Sequence, residues 1–405
     1  MTTIDPEIIS SRPLHWALFC AAIDNFGDIG VCWRLARQLS DETGAEVELW
    51  VDDWDALKWF LQALSFTGED GSRCAGVTLY RWHEGQALSA REATRIAQAD
   101  IVIEAFACEL PAELIKALQD KGQGALWLNL EYLSAESWVR DCHQLPSLQG
   151  GAGQQALRKY FFFPGFVEGT GGVLREAKLL GRHALWQESL EGQRGTFLAN
   201  YAIPKEVSAD PKTLWLSLFT YEGQPLLSLL DALIESDAPT LCLVPQGRSV
   251  QSIAQRFALS ALPEVGSVLH EGNLWVVVLP FMGQEEYDHL LSLCDFNCVR
   301  GEDSFVRAQF AARPMLWHLY PQEDNAHLLK LEAFLALYSG DSAAQEALKA
   351  FWRGWNQGED CRELWHYLRP QLPSLQSQAR RWQQQLAEKP DLVTNLLTFH
   401  RDQRA

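Results

Sequence analysis

The sequence predicts an α/β protein, with two doubly wound, Rossmann-like domains facing across a cleft. Three observations carry that expectation. Short apolar runs alternate with helix-period segments from one end of the chain to the other, the rhythm of parallel sheets covered by helices on both faces. The rhythm weakens over residues 144–172, where Gly, Gln and Pro cluster, and restarts at residue 214. The chain has 405 residues, enough for two or three domains at roughly 150 residues each.

In order, residues 15–23 read as a buried strand and 29–39 as the helix after it. Apolar runs at 47–51, 77–80, 101–105 and 125–130 read as further strands, with helical patterns such as 54–64 and 109–118 between them. In the second half the strands fall at 214–219, 240–244, 274–279, 296–299 and 315–319, and residues 343–404 are helical. The boundary lies in the 180–210 stretch. We place an N-terminal domain at 1–185 and a C-terminal domain at 186–365, with a helical segment, 366–405, returning to the first domain. Ligands of open α/β sheets bind beyond the carboxyl ends of the strands. A glycosyltransferase, a two-domain dehydrogenase and a periplasmic-type binding protein all fit this layout.

Charge narrows the partners. Lys and Arg total 34 against 52 Asp and Glu, a formal net charge of −18. So acidic a chain is a poor candidate for gripping nucleic acid phosphates or an anionic membrane surface, so neither is expected as a partner. Any phosphate site must be a local device of helix N-termini and one or two arginines. Nine cysteines without repeated paired spacing read as reduced thiols of a cytoplasmic protein. Cys294 and Cys298 lack a second Cys/His pair at finger spacing, so core positions are expected for both. The opening MTTIDPEIISSRPLHW has neither a basic n-region nor an apolar h-region, so no secretory signal is expected. No apolar stretch approaches ~18 residues.

Candidate chemistry collects at strand ends. Between the first strand and first helix stands Asp24-Asn25-Phe26-Gly27-Asp28. A dinucleotide turn wants G-x-G-x-x-G so that backbone can approach a pyrophosphate. Two carboxylates here would repel one, and suit a general base or a cationic partner. The bland alternative is an N-cap at Asp28 and an Asx turn at Asp24. A second constellation is Arg300-Gly301-Glu302-Asp303-Ser304, where a helix start and a fixed cation offer an anion site. Its bland alternative is a capping cluster with an Arg–Asp pair. Phe281, Gln284 and Tyr287 follow the 274–279 strand. Gln284 can donate to and accept from a pyrimidine edge, and the two rings can flank a flat group. Phe219-Thr220-Tyr221-Glu222 is a fourth strand end, its rings lining the same cleft or simply packing. The Gly-rich loop 164–172 lacks the Walker lysine. His318 and His327 read more readily as packed or surface residues than as ligands. Neither H-E-x-x-H nor G-x-S-x-G is present.

Several segments together resemble the protein-arginine rhamnosyltransferases that modify bacterial elongation factor P. They are IDNFGDIGVCWRLARQL, VIEAFACELP, NLEYLSAESWV, PGFVEGTGGVLRE, CDFNCVRGEDSFVRAQFAARPMLWHLYPQEDNAH and KLEAFL, collinear over about residues 15–335. The resemblance implies a GT-B fold, dTDP-β-L-rhamnose as donor, an arginine of elongation factor P as acceptor, inversion at the anomeric carbon and no metal or other cofactor. It implies catalytic roles for Asp24, Asp28 and Glu302. It implies donor binding by Phe219, Tyr221, Phe281, Gln284, Tyr287, Arg300, Glu302, Asp303 and Ser304. The residues agree with it. A guanidinium stays protonated and is a poor nucleophile, so a carboxylate must orient one N–H and take its proton. Asp28 suits that role, and Asp24 that of holding the guanidinium. Competing readings are an epimerase or small-molecule glycosyltransferase on the same architecture, and a non-catalytic nucleotide-sugar regulator that would leave the paired aspartates unexplained.

Overall fold

A computed structural model describes residues 12–22, 25–61, 64, 67–121, 124–149, 157–208 and 210–404. The chain forms two compact units, Met1–Ala177 with Lys389–Ala405, and Lys178–Glu388.

The first unit holds an eight-stranded sheet among the described residues: β1 (His15–Cys20), β2 (Glu46–Val51), β3 (Ser72–Cys74), β4 (Val77–Arg81), β5 (Ile101–Ala105), β6 (Leu126–Leu130), β7 (Pro146–Gln149) and β8 (Leu157–Phe162). They lie in the order β3-β4-β2-β1-β5-β6-β8-β7. β3 and β7 are antiparallel to their neighbours and the other pairs parallel. β1, β2 and β5 are almost wholly buried, as a parallel strand covered on both faces must be. β3, β7 and β8 were not expected. β7 and β8 fall where Gly and Gln break the apolar rhythm, and they pair with each other. The last helix, Leu392–Arg404, belongs to this unit and buries Leu392, Val393, Leu396 and Leu397 in the same core as Trp16 and Leu18. Each such aliphatic side chain contributes about 1.5–3 kcal/mol. Arg404 closes that helix on Asp100 at 2.9 Å.

The second unit holds β9 (Leu214–Leu218), β10 (Thr240–Pro245), β11 (Val268–Glu271), β12 (Leu274–Leu279), β13 (Phe296–Arg300) and β14 (Met315–His318), in the order β11-β12-β10-β9-β13-β14. β11 alone is antiparallel. The two parallel cores share one plan: the chain steps outward from β1 or β9, then reverses to the other side at β5 or β13. The switch points therefore lie beside the ends of β1 and β5 in one unit and of β9 and β13 in the other.

The breaks fall at 177/178 and 388/389, where the sequence had suggested 185/186 and 365/366. Helix Leu179–Glu188 joins the second unit because His183 and Gln187 both bond to Ser292. Residues 366–388 stay there as well. Trp365 lies edge-on to Phe296 at 5.3 Å, and the Trp382 indole donates to Gln309 at 2.7 Å. All nine cysteines are free, with Cys294 and Cys298 fully buried. No helix among the described residues is long and apolar enough to cross a membrane.

Helices Gln284–Leu293 and Asp303–Phe310 are clamped by a completely buried ion pair. Arg307 Nε and Nη2 donate to the two Asp288 oxygens at 2.9 and 2.6 Å. Two such charges are tolerated only as a pair. We therefore expect Asp288→Ala to lower unfolding stability by about 3–5 kcal/mol in chemical denaturation. A shift below 1 kcal/mol would show that the pair is not needed.

Candidate active site

In the second unit β9 and β13 end side by side, and the chain leaves each with the residues singled out from sequence. From β9 it runs through Phe219 and Tyr221. From β13 it turns at Gly301, with φ +62°, and enters helix Asp303–Phe310. Arg300, the last residue of β13, is 9% exposed. Its guanidinium carbon lies 4.7 Å from the Phe219 ring centre and 4.8 Å from that of Tyr221. Tyr287 stands edge-on to Phe219 at 5.6 Å, and burial raises its phenol pKa well above the usual value. Four of the predicted side chains thus form one cluster: a fixed cation against aromatic faces.

The helix start brings in three more. Ser304 donates to the Arg300 carbonyl. Gln284 Nε2 donates to Asp303 Oδ2 at 3.2 Å, tying the two helix starts together. Glu302 occupies the N-cap position, yet its side chain makes no capping bond. Its carboxylate receives Lys330 Nζ at 3.0 Å instead, which overturns the capping alternative for Glu302. Phe281 is half-buried on the loop between β12 and helix Gln284–Leu293.

In the first unit the helix after β1 begins at Asn25, four residues earlier than the sequence suggested. Asp28 therefore sits inside the first turn and is not its N-cap. It is 3% exposed and accepts a 3.4 Å bond from the Tyr132 hydroxyl. The first turn of a helix favours negative charge, so the carboxylate is held as an acceptor. Tyr132 stacks on Phe106 at 4.4 Å, just beyond β5. Asp24 lies outside the described residues.

Sequence reasoning passed over Tyr132, Arg248, Lys330 and Tyr320, and weighed His318 as mere packing. Strand-end position was the available signal for Arg248 and His318, which follow or end β10 and β14. Tyr320 lies edge-on to Tyr221 at 5.6 Å and is 55% exposed. His318 is paired in register with Arg300 and 8% exposed. Burial, with the Arg300 charge second, lowers its pKa to about 3. Among the described residues, no group of three or more His, Cys, Asp or Glu side chains is placed to hold a metal ion.

Two Rossmann-like units in one chain, each with candidate residues at its switch point, are what the GT-B class of glycosyltransferase is built from. Residues 16–401 match the family described as Elongation-Factor P (EF-P) rhamnosyltransferase EarP. The chain is 47% identical to the protein-arginine rhamnosyltransferase of Pseudomonas putida over 96% of this chain and 98% of that one. It is 45% identical to that of Pseudomonas aeruginosa, over 96% and 99%. A solved structure described as the structural basis for EarP-mediated arginine glycosylation of translation elongation factor EF-P superposes with a TM-score of 0.66 at 36% identity, covering 96% of this chain and 99% of that chain. The chain belongs to this family, and its class of enzyme is protein-arginine rhamnosyltransferase.

The buried histidines set an acid limit on stability. His318 is held neutral with a pKa near 3, and burial lowers His143 and His400 to about 4. Unfolded, each takes up a proton near pH 6.5. Between that pH and the folded values the unfolded chain binds more protons, so stability rises with pH in this window and falls on acidification. We expect His318→Asn to flatten the stability–pH profile between about pH 6.5 and 4. An unchanged slope would mean that His318 is not held neutral by the fold.

Proposed function

We propose that this enzyme transfers L-rhamnose from dTDP-β-L-rhamnose to one arginine of elongation factor P in the cytoplasm, activating that factor for ribosomes stalled at polyproline. The observation that carries the donor side is Arg300, a buried, permanently charged fork held against Phe219 and Tyr221 beside a helix start. Arg300 and the first amides of helix Asp303–Phe310 take the diphosphate. Phe281, Gln284 and Tyr287 take the base, Gln284 by its edge. Asp303 and Ser304 hold this frame.

In the reaction an Nη of the acceptor arginine attacks the anomeric carbon from the face opposite the diphosphate. The C–N bond forms as the C–O bond to phosphate breaks, which inverts the β-linked donor to an α-linked product. Asp28 takes the proton that the nitrogen loses, and Asp24 steadies the guanidinium. The departing dTDP is an anion whose growing charge Arg300 and the helix start stabilise without a metal. Glu302, oriented by Lys330, binds the donor sugar and shapes the reacting centre.

The direct test is mass spectrometry of elongation factor P after incubation with enzyme and dTDP-rhamnose. One added deoxyhexose on a single arginine is expected, and no mass change would reject the assignment. Asp28→Asn tests the base. It keeps the shape of the side chain and loses only the charge–dipole attraction, so stability should change by under ~1 kcal/mol. Turnover should fall ~10²-fold or more, because the amide cannot accept a proton. Donor titration should match wild type. Near-normal turnover would leave Asp28 with no role as base.

A further inference from the structure

The loop that leaves β10 carries a cation for which the donor reading has no task. Arg248 follows Gly247 and precedes helix Ser249–Arg256. Its guanidinium carbon lies 5.5 Å from the Tyr221 ring centre, the ring that Arg300 approaches to 4.8 Å. Two arginines thus share one aromatic side chain at the carboxyl edge of the sheet. Arg300 is buried, whereas the Arg248 side chain is 51% exposed and its partner Glu222 36%. Arg248 Nε donates to Glu222 Oε2 at 2.7 Å, and Nη2 donates to the other oxygen. The pair lowers the Glu222 pKa, and the Arg300 charge adds to that effect.

The backbone under Arg248 is fixed. Ser249 Oγ donates to the Thr220 carbonyl and accepts from the Thr220 amide, both at 2.8 Å. A Cβ on Gly247 would come within 3.1 Å of the Phe219 ring. The loop is therefore docked on the segment that carries Phe219 and Tyr221, and only the Arg248 side chain has to move.

We propose that Arg248 is a second anion-binding residue for the donor, parked on Glu222 and transferring to the diphosphate when the nucleotide enters. An exposed pair of this kind contributes little in water. A diphosphate offers the same two-pronged geometry with more charge, beside a second fixed cation. This inference rests on the donor reading above and extends it by one residue.

The test is a set of titrations with thymidine diphosphate and with thymidine on the full-length protein and three variants. Arg248→Ala should weaken thymidine diphosphate binding about tenfold and leave thymidine binding unchanged. Glu222→Gln should bind the diphosphate at least as tightly as wild type, since a competing carboxylate is gone. Arg300→Ala should weaken diphosphate binding and so report on the donor site itself. Normal diphosphate binding by Arg248→Ala, with Arg300→Ala impaired, would overturn the inference and leave the donor reading standing. Normal binding by both would remove the two together. Equal loss of thymidine and diphosphate in Arg248→Ala would show that it acts on the loop's structure. Glu222→Gln binding as weakly as Arg248→Ala would overturn the exchange.

Discussion

A guanidinium that cannot give up its proton is buried at the end of β13, and the second unit is arranged around that constraint. Taking such a charge out of water costs several kcal/mol unless the surroundings compensate. At Arg300 the compensation is spread out: two ring faces within 5 Å, and the Glu222 carboxylate, whose pKa the Arg300 charge helps to lower. Its neighbour on the adjacent strand, His318, has its pKa lowered by its own burial first and by the Arg300 charge second. A cation so placed and so lightly paired has capacity left for an anion, which is what the proposed donor supplies.

The geometry around Arg300 depends on packing further from the edge. Arg307 and Asp288 hold the two flanking helices together, and this fixes Gln284 and Asp303 within hydrogen-bond reach. Behind them Phe305 stacks on Trp317 at 3.8 Å, and Phe334 stacks on Trp352 at 5.8 Å. The Trp317 indole donates to the Gly301 carbonyl at 2.8 Å, directly beneath the turn. Large aromatic side chains with few rotatable bonds thus set the path of the chain through Gly301, where a left-handed φ is needed. The helix start is aimed by the core, and the charged residues are carried on it.

Much of this was legible in the sequence, for physical reasons that also explain what was not. Parallel strands buried on both faces are continuous apolar runs, so β1, β2, β5, β9, β10, β12 and β13 stand out. Short antiparallel edges such as β3 and β11 carry too few residues to show a period, and β7–β8 interrupts a Gly- and Gln-rich stretch. Domain limits were misplaced because a helix's pattern shows that one face is buried and not which sheet covers it. Among the candidate residues, Arg300, Phe219 and Tyr221 could be singled out because each ends or closely follows an apolar run, whereas Tyr287 lies inside helix Gln284–Leu293. Lys330 was not, since a lysine inside a helix has no local signal for the carboxylate it reaches 28 residues away. For Asp28 the capping alternative was misjudged: the helix starts at Asn25, and the capping position moves with it.

The charge of the chain bears on how these parts work. A net charge of −18 opposes the approach of an anion, and the proposed donor is one. The conflict is resolved by range. At physiological ionic strength, charges more than about 8 Å apart across solvent are largely screened, so the distant acidic surface weighs little at the strand ends. Arg300 and Arg248 both face Tyr221, and Glu222 is already engaged by Arg248. A global negative charge and two arginines at one aromatic ring therefore coexist without contradiction. The acidic remainder suits a cationic acceptor side chain, while the proposed donor would meet Arg300 and Arg248 beside Tyr221.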